Sequence, residues 1–246
     1  MAEGCVSYRS EAGVAIITID REEKRNAMTA LMCDQLREAL TRLENGSDRV
    51  GILCAAGETF CAGADLTAPP ENFWRAVPGI GIELTKPLIA AVQGPVVGMA
   101  VGIVAFADLC VAAETTQFIY PEARVGVSKG MIASLVARVP HKVAMELMLL
   151  GGPMTAARAY DVGLVNRVTS RGEHLSVALE LAAAMATHAP LVMAQLKQMS
   201  AQTLPQSPSE AFYLATRAIE RVTHSEDAQE GLRAFKEKRR PRFEGR

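Results

Sequence analysis

From Leu88 to Ala107 the chain carries one polar side chain, Gln93, in an otherwise apolar run. A run of this length is long enough to cross a bilayer as one helix. Gly94, Gly98 and Gly102 even repeat at the spacing of a helix-dimer face. Two features divide it. Gln93-Gly94-Pro95 is a turn signal, and Pro95 would remove a backbone donor from the interior of a continuous helix. No asymmetry of Lys and Arg flanks the run, and Asp108 and another apolar segment follow directly. The segment therefore reads as a buried strand over Leu88 to Val92, a turn, and a buried helix over Gly98 to Ala107.

A segment covered on all sides needs a large core, and 246 residues at 49% hydrophobic composition supply one. That length predicts one large domain, or one domain with an appendage. With aromatics at only 5%, the core must be built from closely packed Ala, Val, Leu, Ile and Met. The net charge of −1 gives no general attraction to nucleic acid or anionic lipid, so neither is expected as a partner. Five cysteines without a CxxC pattern argue against structural zinc and a disulfide framework. Residues Met1 to Arg9 lack the pattern of a signal peptide, which predicts a reducing, cytoplasmic setting.

Val14 to Ile19, Val50 to Ala55 and Leu109 to Ala113 join Leu88 to Val92 as short apolar runs at wide spacing, each predicted to be a covered strand. Between the first two, Thr29 is placed to cap a helix whose apolar positions are Met32, Leu36, Leu40 and Leu43, with Asn45-Gly46 ending it. The theme is α/β. After Gly126 the pattern predicts helices over Met131 to Val139 and His141 to Leu150, a short one capped by Thr155, and a last strand over Leu164 to Val168. Four helices then follow, over Leu175 to Ala186, Leu191 to Ala201, Pro208 to Val222 and Glu226 to Glu237. The organisation expected is an α/β core over residues 1–195 and a helical C-terminal oligomerisation region over 196–246.

Metal-binding HExxH, phosphate-binding and nucleophile-elbow motifs are missing from the sequence, and the four histidines are scattered over surface or helix-terminal positions. What remains are small residues after strands, where peptide N–H groups act in place of side chains. Phe60 to Leu66 (FCAGADL) and Gly94 to Gly102 each let a ligand approach the main chain, and the second opens a helix with unpaired N–H donors. Two such donors aimed at one point would stabilise charge developing on a carbonyl oxygen; tight strand–helix packing accounts for either stretch taken singly. Tyr120-Pro121-Glu122-Ala123 adds a carboxylate in an apolar setting, which favours a raised pKa and proton transfer, although a surface loop acid or a partner of Arg124 is the simpler role.

The combination resembles the crotonase, or enoyl-CoA hydratase/isomerase, family. The likeness runs in order and spacing through Arg25 to Met28 (RNAM), FCAGADL, Lys86 to Gly98, Ala107 to Ala113, Phe118 to Gly126, Ala157 to Val168 and the basic tail Glu237 to Phe243. It implies a spiral of ββα turns with a helical C-terminal region, homotrimers or dimers of trimers, an acyl-CoA thioester as substrate, and no metal or redox cofactor. By the match, the N–H groups of Ala62 and Met99 hold the thioester oxygen and Glu122 is the acid/base. Arg25, Ala27, Ala62, Gly63, Ala64, Asp65, Leu66 and Met99 would contact the substrate; Arg21, Lys24 and Arg25 after the first strand and Lys236, Lys238, Arg239 and Arg240 in the tail are candidates for the phosphates, a solvated charged face being the alternative for the tail.

Two departures bear on the reaction. The second glutamate of the hydratases falls on Gly102, which tilts the chemistry toward double-bond isomerisation by one base, or toward hydration by an altered mechanism. Glu83 and Glu114 are the candidates to replace it. The stretch from Asp65 to Lys86 is short, and its Phe73 and Trp74 either wall an acyl group or pack beneath a surface loop. The alternative of a different class is a non-catalytic CoA-ester-binding subunit that keeps the fold.

Overall fold

A computed structural model describes residues 5–127 and 130–246. β1 (Cys5–Glu11) and β2 (Val14–Asp20) form an antiparallel hairpin that turns at Ala12 and Gly13, both at positive φ. α1 (Ala30–Asn45) follows, and the Thr29 hydroxyl accepts the Met32 N–H at 3.2 Å as its cap. At its far end the Lys86 ammonium donates to the carbonyls of Leu43, Gly46 and Asp48, putting a cation where the helix leaves unpaired acceptors.

The chain continues through β3 (Val50–Ala55), β4 (Leu88–Val92), β5 (Pro95–Val97), α2 (Met99–Ala105), β6 (Leu109–Ala113), β7 (Gln117–Ile119) and α3 (Glu122–Val125). Next come a 3-10 helix at Met131–Ala137, α4 (His141–Leu150), β8 (Met154–Thr155), α5 (Ala156–Asp161) and β9 (Arg167–Thr169). The C-terminal helices are α6 (His174–Ala186), α7 (Pro190–Thr203), α8 (Pro208–Thr223) and α9 (Glu226–Lys236). Six strands form one sheet in the order β1-β2-β3-β4-β6-β9, parallel from β2 onward, and β5-β7-β8 form a second, smaller sheet. β1 and β2 join directly through their hairpin, and each later step along the large sheet is separated by a visit to the small sheet or to a helix, which is the spiral expected.

The strands alternate between two buried layers. Ala15, Ile17, Leu53, Leu88 and Ala90 face α1 and the small sheet, while Ile16, Ile52, Ile89, Ala91 and Val111 face Ala178 and Ala182 of α6. Cover on both faces is why these strands read as continuous apolar runs. The long apolar segment divides where Gly94 and Pro95 predict. Among the described residues no single helix is long and apolar enough to cross a membrane.

Several expectations change. β1 is an additional strand with mostly exposed side chains, held by its full-length pairing to β2. Met131–Ala137 winds as a 3-10 helix. The strand expected from Leu164 begins only at Arg167, because the amides of Leu164 and Val165 both donate to Ala159 C=O at the end of α5. The division at 195/196 falls inside α7. Phe73 and Trp74 are 6% and 5% exposed and pack against Tyr213 of α8, with ring centroids 5.5 and 5.8 Å away. They are core residues that anchor α8 to the loop.

Candidate active site

Three loops converge beside α2. The first follows β3, and Cys61 pairs with Val96 in a parallel bridge: Cys61 N–H donates to Pro95 C=O at 3.2 Å and Val97 N–H to Cys61 C=O at 2.9 Å. Three residues beyond the bridge lie Ala64 on one segment and Met99 on the other. Gly63 permits the approach, since a Cβ there would stand 3.1 Å from Val97 C=O and its φ is +96°.

The second contact fixes which amides are available. Met28 and Ala64 form a parallel bridge in which Met28 N–H donates to Gly63 C=O at 2.8 Å and Asp65 N–H to Met28 C=O at 2.9 Å. Alternation along an extended chain then turns the Ala64 N–H to the opposite side. Ala62 N–H donates to Arg25 C=O at 2.9 Å. The expected donor pair of Ala62 and Met99 is therefore corrected: the Ala62 amide is spent inside the protein. Among the described residues, no hydrogen-bond partner meets the N–H of Ala64 or of Met99.

Asn26 holds this loop. It is fully buried, at φ +56°, a conformation Asn tolerates better than most residues. Its amide donates to Ala56 C=O at 2.8 Å and Thr59 C=O at 2.7 Å, and its Oδ1 accepts the Arg21 N–H at 2.7 Å. Arg21 in turn donates to Asp65 Oδ2 at 2.7 Å, while Thr67 donates twice to Oδ1. These bonds hold the Asp65 carboxyl well below the usual carboxylate range. With its N–H and carboxylate both engaged, and its carbonyl accepting the Ala68 N–H at 3.3 Å, Asp65 braces the loop. Of the other expected contact residues, Arg25 and Leu66 are exposed, and Ala27 C=O takes a bond from the Arg21 guanidinium. In the tail Arg239 is paired with Glu230 and Glu237, so its cation is partly committed.

The third loop follows β7 and carries Glu122. Burial pushes its carboxyl up to about 7, against smaller lowering effects of its own backbone N–H and Tyr120. Gly98 lies against it: a Cβ at Gly98 would be 3.1 Å from Glu122 Oε1, and Gly98 sits at φ +56°, ψ −119°, a region only glycine enters freely. Glu122 Oε2 is buried without a hydrogen-bond partner among the described residues. Arg124 reaches Gly151 C=O at 3.4 Å and so has a partner other than Glu122. The two candidates for a second acid are elsewhere. Glu114 is exposed in the turn after β6, and Glu83 is exposed on a cavity with Phe106 and Ala107, at the opposite end of α2.

Sequence reasoning did not single out the unpartnered Ala64 N–H, nor Asn26 as the anchor of its loop. The RNAM stretch contains Asn26, but nothing local marks it as buried.

A spiral α/β fold with converging loop amides and one desolvated carboxylate defines a class of protein suited to polarising a carbonyl and moving a proton beside it. The sequence model described as enoyl-CoA hydratase/isomerase matches residues 9–246. An enoyl-CoA hydratase of Mycobacterium tuberculosis is 37% identical over 94% of this chain and 93% of its own. A carnitinyl-CoA dehydratase of Proteus mirabilis is 35% identical over 96% of this chain and 97% of its own. The solved carnitinyl-CoA hydratase of Mycobacterium avium superposes with a TM-score of 0.76 at 30% identity, covering 98% of each chain. The chain belongs to the enoyl-CoA hydratase/isomerase, or crotonase, family, whose members act on acyl-CoA thioesters.

Proposed function

We propose that this chain is an acyl-CoA enzyme that holds a thioester oxygen between the N–H groups of Ala64 and Met99 and uses Glu122 as its one acid/base. The observation that carries the reading is the pair of unpartnered amides three residues past one bridge, with the Glu122 carboxylate against the neighbouring Gly98. The reaction favoured is migration of a double bond. Glu122 removes a proton from C2 of a 3-enoyl thioester, and the electron pair passes to the thioester oxygen, where the two amides stabilise the dienolate. The same carboxyl then returns the proton to C4. One base suffices and no other reactant is consumed.

The second reading is addition or loss of water with Glu122 alone managing the proton, and it is favoured by relatives named hydratase and dehydratase. The experiment is to supply 3-hexenoyl-CoA and crotonyl-CoA separately and follow the conjugated thioester absorbance. Isomerisation makes the first gain absorbance faster than the second loses it, and hydration reverses the ranking. Binding of both esters without any turnover would contradict the enzymatic reading and leave a CoA-ester-binding subunit.

Assembly as a homo-oligomer, a trimer or dimer of trimers, through the C-terminal helices is part of the proposal. Leu191 and Phe235 are each 84% exposed, and Leu196, Phe212, Ile219 and Leu232 are also exposed on α7, α8 and α9. An apolar surface of this extent is suited to burial against another copy.

A further inference from the structure

Gly102 stands in the middle of α2, fully within the buried part of that helix. A mid-helix glycine is a poorer helix former than alanine and is usually kept for a backbone or packing reason. Neither reason applies here. Its φ lies outside the left-handed region, and among the described residues a Cβ built on it meets nothing within 4 Å beyond its own helix. Other glycines differ: a Cβ at Gly51 would press on Leu43 at 2.5 Å, and Gly98 needs its positive φ. What Gly102 provides is room.

The direction of that room follows from helix geometry. Gly102 comes one turn after Gly98, so the two alpha carbons lie on the same side of α2, and a helical Cβ leans toward the N-terminus. The room therefore lies between Gly102 and the carboxylate of Glu122, whose Oε1 is the group facing Gly98. The 3-10 helix Met131–Ala137 packs against α2 and buries Met131, Ile132 and Leu135. One turn further on, Phe106 carries the Arg138 guanidinium 4.0 Å over its ring. Among the described residues the unpartnered polar groups on this side, Glu122 Oε2 and the Met99 N–H, lie at the N-terminal end of α2, while the 3-10 helix brings Met131, Ile132 and Leu135. An apolar occupant fits better.

Resting on the proposed acyl-CoA reading, we infer that Gly102 is a specificity-determining residue: the room beside it takes the substituent on C3 of the acyl group, so branched or aryl 3-substituted enoyl-CoA esters are preferred over unbranched ones. With the thioester oxygen at Met99 N–H, a group on C3 extends roughly 5 Å, about one helical turn, along α2. That brings it level with Gly102.

The test compares dissociation constants for cinnamoyl-CoA, which bears a phenyl group on C3, and crotonyl-CoA, in wild type and in Gly102→Ala and Gly102→Leu. Wild type is expected to favour cinnamoyl-CoA. The preference should shrink stepwise, with the ratio of the two constants falling about tenfold or more in Gly102→Leu. Gly102→Ala adds one methyl to a better helix former, so it keeps the test decisive if the leucine variant does not fold. An unchanged ratio in the folded variants, or a wild type that favours crotonyl-CoA, overturns the inference while the acyl-CoA reading stands. Failure of wild type to bind either ester overturns both.

Discussion

Replacing Glu122 with Gln is expected to lower turnover of enoyl-CoA esters by about 100-fold to 10,000-fold, the range for removing a positioned general acid/base. The amide keeps the shape of the carboxyl, so CoA-ester binding should weaken far less than turnover. Stability should move in the opposite sense. The Glu122 carboxyl titrates near 7 in the folded protein against an ordinary 4.5. A raised folded pKa means that the native state holds the proton more tightly than the unfolded chain does. The stabilisation from this group is therefore complete below 4.5 and is lost as pH rises through about 7. Gln does not titrate, so above about pH 8 the variant should melt no lower than wild type. In wild type, the base-dependent step should accelerate as pH rises through about 7. Thermal melts at two pH values beside a pH–rate profile check all three expectations. A variant that loses activity only in proportion to lost stability would remove Glu122 from the chemistry.

Asn26→Ala should have the largest structural effect of any single change near the site. It strands the part-buried carbonyls of Ala56 and Thr59 and the part-buried N–H of Arg21 around a side chain that is itself fully buried. Leaving such groups unpaired costs about 1–3 kcal/mol each, and alanine is less at ease than asparagine at φ +56°. Together these predict a loss of about 3–5 kcal/mol, or roughly 10 °C in melting temperature for a chain of this size. Because Asn26 holds the segment that ends in Ala64, surviving folded protein should also show reduced kcat. Asn26→Asp keeps the acceptor for Arg21 and removes both donors, so it should fall between. Urea titration and steady-state kinetics measure the two effects. Wild-type stability in both variants would mean that the buried amide is not the anchor.

What was legible in the sequence was local. The Gly94-Pro95 turn ended β4 within the apolar run, although the short β5 before α2 went unread, Thr29 announced the start of α1, and Pro121-Glu122 marked a carboxylate leaving a strand. Met99 and Glu122 each follow such a marker, and the family resemblance supplied their expected roles. Ala64 follows none, because which of the Ala62 and Ala64 amides stays unpaired is set by pairing with Arg25 and Met28, which are distant in the chain. Asn26 was hidden for the same reason, since its burial depends on carbonyls of a remote loop. β1 escaped because an exposed edge strand carries little apolar periodicity, and its partner strand supplies the order. The early start assigned to β9 came from reading Leu164 and Val165 by type, when both amides are drawn into the end of α5.

The central claim concerns two peptide N–H groups on one carbonyl oxygen, and the infrared stretch of a carbon-13-labelled thioester C=O in bound acyl-CoA reports on it directly. Met99 opens α2, a position where proline is accepted. Met99→Pro therefore deletes one N–H with little disturbance of the helix, whereas Met99→Gly keeps it. The expected result is a C=O stretch shifted to lower frequency on binding to wild type and to Met99→Gly. In Met99→Pro the shift should be largely lost and kcat lowered about 100-fold to 1,000-fold. An equal shift in the proline variant, or no shift in wild type, would contradict the account.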